Sequence, residues 1–243
     1  MKESRFFYVP NAGTQTELPM EEAMHALRVL RLKSGDEMFL MDGEGNFHQA
    51  EVTIAATKRC LYEIRQTMPQ QKAWRGRIHI AMAPTKMMDR VEWFAEKATE
   101  IGIDEFSFLN CKFSERKVMR TVRLDKIVIS AMKQSRKPWK PIVNPMVTFK
   151  EFLQQHSSGQ RFIAHCYEEI EREDFYHLIS DPAIANADDD ITVLIGPEGD
   201  FSIDEVRMAL GCGFRSITLG SARLRTETAA LSATMMAQLV RRL

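Results

Sequence analysis

Ile191-Thr192-Val193-Leu194-Ile195, running into Gly196-Pro197-Glu198-Gly199-Asp200-Phe201, is the stretch whose reading decides the fold. A short apolar, β-branched run bounded by a turn reads as a strand buried on both faces. Ser202-Ile203-Asp204-Glu205 then has the form of a capping box that starts a helix. The pattern returns as Ile217-Thr218-Leu219-Gly220, followed by Ser221-Ala222-Arg223-Leu224-Arg225-Thr226-Glu227-Thr228-Ala229, with Thr226 expected as the N-cap of a helix through Leu239. Two glycine-bearing loops each leave a strand and feed a helix. In open α/β sheets, ligands bind at such carboxyl ends of strands.

Upstream, strand and helix keep alternating. Ile78–Met82 reads as a strand, and Lys86–Gly102 as a helix with Met88, Val91, Phe94, Ala95, Ala98 and Ile101 on one stripe and Gly102 as its stop. Phe106–Leu109 is the next strand, and Leu124, Ile127, Val128 and Ala131 mark another helix. Arg161–Cys166 is a strand, and the acidic Glu168–Asp190 stretch is helix and loop. This alternation predicts an α/β fold with a parallel sheet covered on both faces. Residues 1–70 differ. Phe6–Val9, Met38–Met41, Phe47–Ala55 and Leu61–Ile64 read as strands, Asp42-Gly43-Glu44-Gly45 as a turn, and Met20, Ala23, Met24, Leu27 and Leu30 as one short helix after Pro19. A small β-barrel is expected there, with the boundary at Met68–Lys72 and a second domain over 73–243.

With 243 residues, 44% hydrophobic and 27% charged, the chain has the composition of an ordinary globular protein. No apolar run approaches the roughly 20 residues of a membrane helix. Cys60, Cys111, Cys166 and Cys212 are scattered without a CxxC pair, so neither a metal site nor a disulfide framework is expected, and a reducing cytoplasm is. Net charge is zero but unevenly spread. Asn110–Lys140 holds ten Lys or Arg against two acidic residues, whereas Glu168–Glu205 holds thirteen acidic residues against Arg172 alone. The basic segment is either a face for a phosphate backbone or a solvated surface.

The Gly196–Gly199 loop matches neither a dinucleotide fingerprint nor a Walker loop. Pro197 has no N–H to give a phosphate, and Glu198 brings negative charge. Such a loop suits an uncharged purine or ribose instead. Arg223 and Arg225 are cations in the second loop, free for a ligand or for pairing with the acidic segment. Glu227 serves either chemistry or the helix dipole.

Taken together, Leu194-Ile195-Gly196-Pro197-Glu198-Gly199, Leu219-Gly220 and Leu224-Arg225-Thr226-Glu227-Thr228-Ala229 resemble the signature of the RsmE family. His25-Ala26-Leu27-Arg28-Val29-Leu30-Arg31, Met41-Asp42-Gly43, Glu96-Lys97-Ala98-Thr99-Glu100-Ile101-Gly102 and Gln134-Ser135 with Arg136 and Pro141 add to the resemblance, which spans nearly the whole chain. Lys133, where the family usually has a glutamate, and Asp200, where a second glycine is common, depart from it.

The resemblance implies a SPOUT-class methyltransferase acting on N3 of a uridine in 16S ribosomal RNA. It implies a PUA-like barrel, a C-terminal trefoil knot, S-adenosylmethionine as cofactor and a homodimer, with neither metal nor membrane involved. The small ribosomal subunit or its bare RNA is the expected partner. Cofactor binding falls on Leu194, Gly196, Pro197, Glu198, Gly199, Leu219, Gly220, Leu224, Arg225, Thr226, Thr228 and Ala229. Arg225 is expected to hold the uridine anion, with Glu227 and Glu198 as candidate bases. RNA contacts are expected at Arg5, His25, Arg28, Arg31, Lys112, Arg116, Lys117, Arg120 and Arg136. The rival readings are a ribose 2′-O-methyltransferase of the same fold, a non-catalytic RNA-binding assembly factor and, last, a phosphate-cofactor Rossmann enzyme.

Overall fold

The computed structural model describes residues 5–243. The chain forms two compact units: one takes the chain up to Lys72 together with Met132–Lys140, the other takes Ala73–Ala131 and Pro141–Leu243.

The first unit holds β1 (Phe6–Tyr8), a 3-10 turn at Ala12–Thr14, α1 (Met20–Met24) with a π turn over His25–Val29, β2 (Glu37–Met41), β3 (Asn46–Ala55) and β4 (Cys60–Pro69). The strands pair in that order, β1 parallel to β2 and the rest antiparallel. In place of a closed barrel, the named strands of the described residues pair as an open four-stranded sheet. The reason is local: β1 is only three residues long, and Ala23 and Ala26 of the helical segment pack on Phe7, Met38, Leu40, Val52 and Tyr62 instead. The expected single helix likewise changes pitch at His25, and Met20 is left exposed. Asp42 organises the β2–β3 turn. Its Oδ1 accepts the N–H groups of Glu44 and Asn46 at 2.7 and 3.0 Å, and its Oδ2 accepts Asn46 Nδ2 at 2.6 Å. Lys133 lies 2.6 Å from Glu22 within this unit, which gives the departing lysine a carboxylate partner.

The second unit runs β5 (Ile78–Met82), α2 (Met88–Ile101), β6 (Glu105–Asn110), α3 (Val122–Ser135, its residues from Met132 on counting with the first unit), β7 (Ile142–Thr148), α4 (Phe149–Gln155), β8 (Gln160–Ala164), β9 (Glu173–Asp174), α5 (Phe175–Ile179), α6 (Pro182–Ala185), β10 (Ile191–Ile195), α7 (Ile203–Gly211), β11 (Arg215–Thr218) and α8 (Thr226–Arg241). Its seven strands are ordered β7-β6-β5-β10-β8-β11-β9, and every pairing is parallel.

The two-residue period of a strand assigns each face of the sheet its own core. Ile78, Ile80 and Met82 of β5, Phe106 and Phe108 of β6 and Ile191, Val193 and Ile195 of β10 join Val91, Phe94, Ala98, Ala230 and Ala233 from α2 and α8. Ala81, Leu109, Ile163 and Leu194 point the other way, into Phe149 and Phe152 of α4, Val206 of α7 and Phe201 of the loop before it. Phe94 is fully buried, and cutting it to alanine would cost about 3–5 kcal/mol. The apolar runs were legible because both faces are covered. His79 interrupts that pattern on β5. It is buried, and desolvation, with His156 and Arg77 alongside, pushes its pKa down to about 3.

Candidate active site

The carboxyl ends of β8, β10 and β11 open into one cavity of about 1020 Å³. The loop after β10 supplies its floor. A Cβ on Gly196 would sit 3.0 Å from the Phe201 nitrogen, so this close approach of backbone to backbone favours glycine. The Asp200 N–H returns to the Pro197 carbonyl at 2.9 Å. Asp200 itself has φ 67°, and its Oδ2 accepts the Cys166 N–H at 2.8 Å, tying this loop to the end of β8. Glu198 Oε1 accepts the Lys86 N–H at 2.9 Å, tying it to the loop after β5. Ser202 and Glu205 form the reciprocal capping box that opens α7.

The loop after β11 forms the opposite wall. Thr218 Oγ1 donates to the Gly220 carbonyl at 2.9 Å, and Gly220 takes φ 116°. Arg225, not Thr226, is the N-cap of α8, and Thr226 is the helix's first residue. The Arg225 side chain makes no capping bond and is exposed. Glu227, on the first turn of α8, is 7% exposed and bonded to Arg90 of α2 at 2.8 Å.

The end of β8 is the third wall, and the sequence motifs gave no sign of it. The Tyr167 N–H donates to His165 Nδ1 at 3.2 Å, so Nε2 of the neutral ring carries the proton and donates to Ser216 Oγ at 2.8 Å. Burial holds the His165 pKa below its ordinary value. Burial, reinforced by Asp200, raises that of the Cys166 thiol.

Gly196, Pro197, Glu198, Leu219, Gly220, Leu224, Arg225, Thr226, Glu227 and Ala229 all line the cavity. Leu194, Gly199 and Thr228 do not. Leu194 is fully buried among Phe201 and Val206, and its backbone is taken up by the ladders with β5 and β8. The Cβ position of Gly199 faces Phe113, and Thr228 lies on the exposed side of α8. Arg90, His165, Cys166, Arg172 and Asp174 line the cavity without having been singled out from the sequence.

Among the residues expected at RNA, Lys112, Lys117 and Arg120 are exposed in the segment after β6. Arg116 is committed to structure, donating to the carbonyls of Thr85 at 3.1 Å and Lys86 at 2.5 Å. In the first unit, His25, Arg28, Arg31 and Arg136 are exposed, and Arg5 lies 3.8 Å from Asp36. Arg136 stacks its guanidinium 5.3 Å from the Phe6 ring.

The cavity wall mixes Glu168, Asp174, Glu198 and Asp200 with Arg90, Arg172, Arg223 and Arg225. Polyphosphate would meet these carboxylates and Glu227, five in all, whereas an adenosine bearing a sulfonium and an amino-acid tail would find partners for both signs of charge. The donor set therefore fits S-adenosylmethionine.

Residues 72–238 match the RNA methyltransferase domain family and residues 18–64 the RNA methyltransferase PUA domain family. The chain is 27% identical to a ribosomal RNA small subunit methyltransferase E of Rickettsia conorii over 94% of its length and 91% of the relative's. A probable rRNA-methyltransferase from Porphyromonas gingivalis superposes with a TM-score of 0.86 at 39% identity, covering 98% of both chains. A ribosomal RNA small subunit methyltransferase E from Neisseria gonorrhoeae, solved bound to S-adenosyl methionine, superposes with a TM-score of 0.81 at 27% identity over 98% of both. A methyltransferase unit whose loops build one mixed-charge cavity, joined to a PUA unit, places the chain in the RsmE family of RNA methyltransferases, to which it belongs.

Proposed function

We propose that the protein methylates N3 of a uridine in 16S ribosomal RNA, using S-adenosylmethionine held in the cavity between the loops after β10 and β11. The observation that carries this reading is the meeting of Gly196–Glu198, Leu219–Gly220 and Leu224–Glu227 around one space. When bound, the cofactor supplies a methyl group on a sulfonium. The chain supplies position, charge and an acceptor for the imide proton of the uridine. Backbone groups of Gly196, Leu219, Gly220 and Leu224 hold the adenosine side. Arg225, with no structural bond of its own as a cap, reaches the uridine and stabilises the charge that develops on O2 and O4 as N3 loses its proton. Glu227 and Glu198, the carboxylates that the two loop motifs bring to the cavity, are the proton acceptors to be separated by mutation.

RNA lies along the exposed cations of each unit, Arg28, Arg31 and Arg136 in the PUA unit and Lys112, Lys117 and Arg120 in the other. The final segment threads a trefoil knot before α8 packs on α2 and β5, the arrangement that the SPOUT resemblance implies. Trp93 on α2 and Met235 and Leu239 on α8 are large exposed apolar side chains, an apolar surface that a second copy would cover in a homodimer. Among the described residues no helix is long and apolar enough to cross a membrane, and the setting proposed is the cytoplasm.

The test is methyl transfer from labelled cofactor to undermethylated small subunits and to bare RNA, followed by nuclease digestion. The label is expected in 3-methyluridine. Label on a ribose would make the protein a 2′-O-methyltransferase, and tight RNA binding with no cofactor binding would make it an assembly factor. Arg225→Ala is expected to abolish transfer with cofactor affinity retained, and near-wild-type turnover would remove Arg225 from the mechanism.

A further inference from the structure

At the amino-terminal ends of the strands, opposite the cavity, His79, Glu105 and His156 each present a metal-ligating atom, and these atoms lie within 4.8 Å of one another. His79 is the second residue of β5, Glu105 the first of β6, and His156 the C-cap of α4. Their hydrogen bonds fix where the protons are.

The Phe152 carbonyl only accepts, so the 3.0 Å contact makes His156 Nδ1 the donor and leaves Nε2 as the nitrogen that can bind a metal. Asn144 Nδ2 donates to Glu105 Oε1 at 2.6 Å and to Ser107 Oγ at 2.9 Å. Ser107 Oγ lies 2.8 Å from His79 Nε2, and in the Nδ1-protonated tautomer that nitrogen accepts the serine proton. Glu105 Oε1 stands 4.0 Å from the same nitrogen. Two imidazoles and a carboxylate thus converge on one space, with Ser107 and Asn144 already donating to His79 Nε2 and Glu105 Oε1. A cation there would take the place of the Ser107 proton on His79 and balance the carboxylate charge.

We propose that His79, Glu105 and His156 form a zinc site that clamps the end of α4 to the amino-terminal ends of β5 and β6. Two histidines and a carboxylate are a zinc ligand set, with water completing the tetrahedron. Zinc bonds of about 2.0–2.1 Å draw ligand atoms to roughly 3.3 Å apart. His156, half-buried at a helix end, is the residue free to close that gap. The supporting shell is in place. Arg77 donates to Glu105 Oε2 at 2.5 Å, Asn144 orients both Glu105 and Ser107, and Phe152 stacks on the His156 ring at 4.0 Å. Because the strands separate this site from the cavity, the metal stabilises the fold and takes no part in methyl transfer. The sequence carried no metal motif because the three ligands come from three separate elements.

The test uses the full chain stripped with chelator and titrated with zinc chloride by calorimetry, with thermal melting alongside and cobalt as a spectroscopic substitute. One zinc per chain, a raised melting temperature and the visible bands of four-coordinate cobalt are expected. His156→Ala should weaken binding by roughly tenfold or more while the metal-free variant keeps the wild-type circular dichroism, and Asn144→Ala should weaken it by roughly tenfold. No zinc-dependent melting shift in the wild type, or wild-type affinity in His156→Ala, overturns the proposal. So does an anomalous zinc peak located elsewhere in crystals.

Discussion

Arg90 Nη1 lies 2.8 Å from Glu227 Oε1, joining the first turns of α2 and α8 at the cavity wall. Glu227 is almost wholly buried and Arg90 is half-exposed, so the arginine is what keeps a negative charge tolerable in that position. Glu227→Gln keeps the shape and removes the acceptor. As the base, Glu227 predicts a loss of roughly 100-fold or more in kcat with cofactor affinity retained. The same loss in Glu198→Gln with Glu227→Gln unaffected would assign the role to Glu198. A cycle of Arg90→Met, Glu227→Gln and the double variant in urea should give a coupling of about 0.5–3 kcal/mol.

The basic segment after β6 divides into two jobs. Arg120 is exposed, whereas Arg116 holds the carbonyls of Thr85 and Lys86 in the loop whose Lys86 N–H meets Glu198. Arg120→Glu should weaken RNA binding and reduce the slope of log affinity against log salt by about 1 or more, with cofactor binding unchanged. Arg116→Ala should instead impair cofactor binding through the loop. Filter binding across a salt series together with cofactor calorimetry checks both, and an unchanged slope in Arg120→Glu would return that residue to plain surface.

The parallel sheet was readable because β5 and β10 are apolar on both faces, a pattern few other structures produce. β7 escaped because Asn144 and Pro145 break the alternation, and Pro145 is tolerated there because the strand lies at the sheet edge. β9, only Glu173 and Asp174, has no apolar pattern at all. At the cavity, glycine and helix-start chemistry marked the loops after β10 and β11. His165 and Cys166 stayed hidden because their importance comes from β8 lying between β10 and β11, a fact of sheet order that no local pattern carries. Arg90 stayed hidden for a related reason: its partner Glu227 is 137 residues away.

Asp42 gives the PUA unit a measurable acid sensitivity. Burial pushes its pKa up, but hydrogen bonds from the Asn46 side chain and from the N–H groups of Asn46 and Glu44, with His48 nearby, outweigh this and hold it below the ordinary 3.8. A carboxyl depressed in the folded state contributes stability that is fully present above its unfolded pKa and is lost as pH falls through the folded value. The wild-type unit should therefore lose stability below about pH 3.8. Asp42→Asn should be weaker at neutral pH by about 1–3 kcal/mol and show less of that acid loss. Urea midpoints between pH 7 and the acid limit test this, and parallel curves for the two proteins would contradict it.

Asp200 bears opposing effects that substitution can separate. At φ 67° it sits where a side chain is strained and glycine is not, yet its carboxylate bonds the Cys166 N–H and its own loop at Phe201. Asp200→Gly removes the bonds and the strain together. Asp200→Ala removes the bonds and keeps the strain, so it should be the less stable of the two by about 1 kcal/mol. Both release the β10 loop from the end of β8, so cofactor affinity should fall in both by a similar factor while stability does not. Equal stabilities would mean that the loop relaxes away from its left-handed conformation once the carboxylate is gone, and that the Asp200–Cys166 bond, rather than the glycine-like backbone, shapes this wall of the cavity.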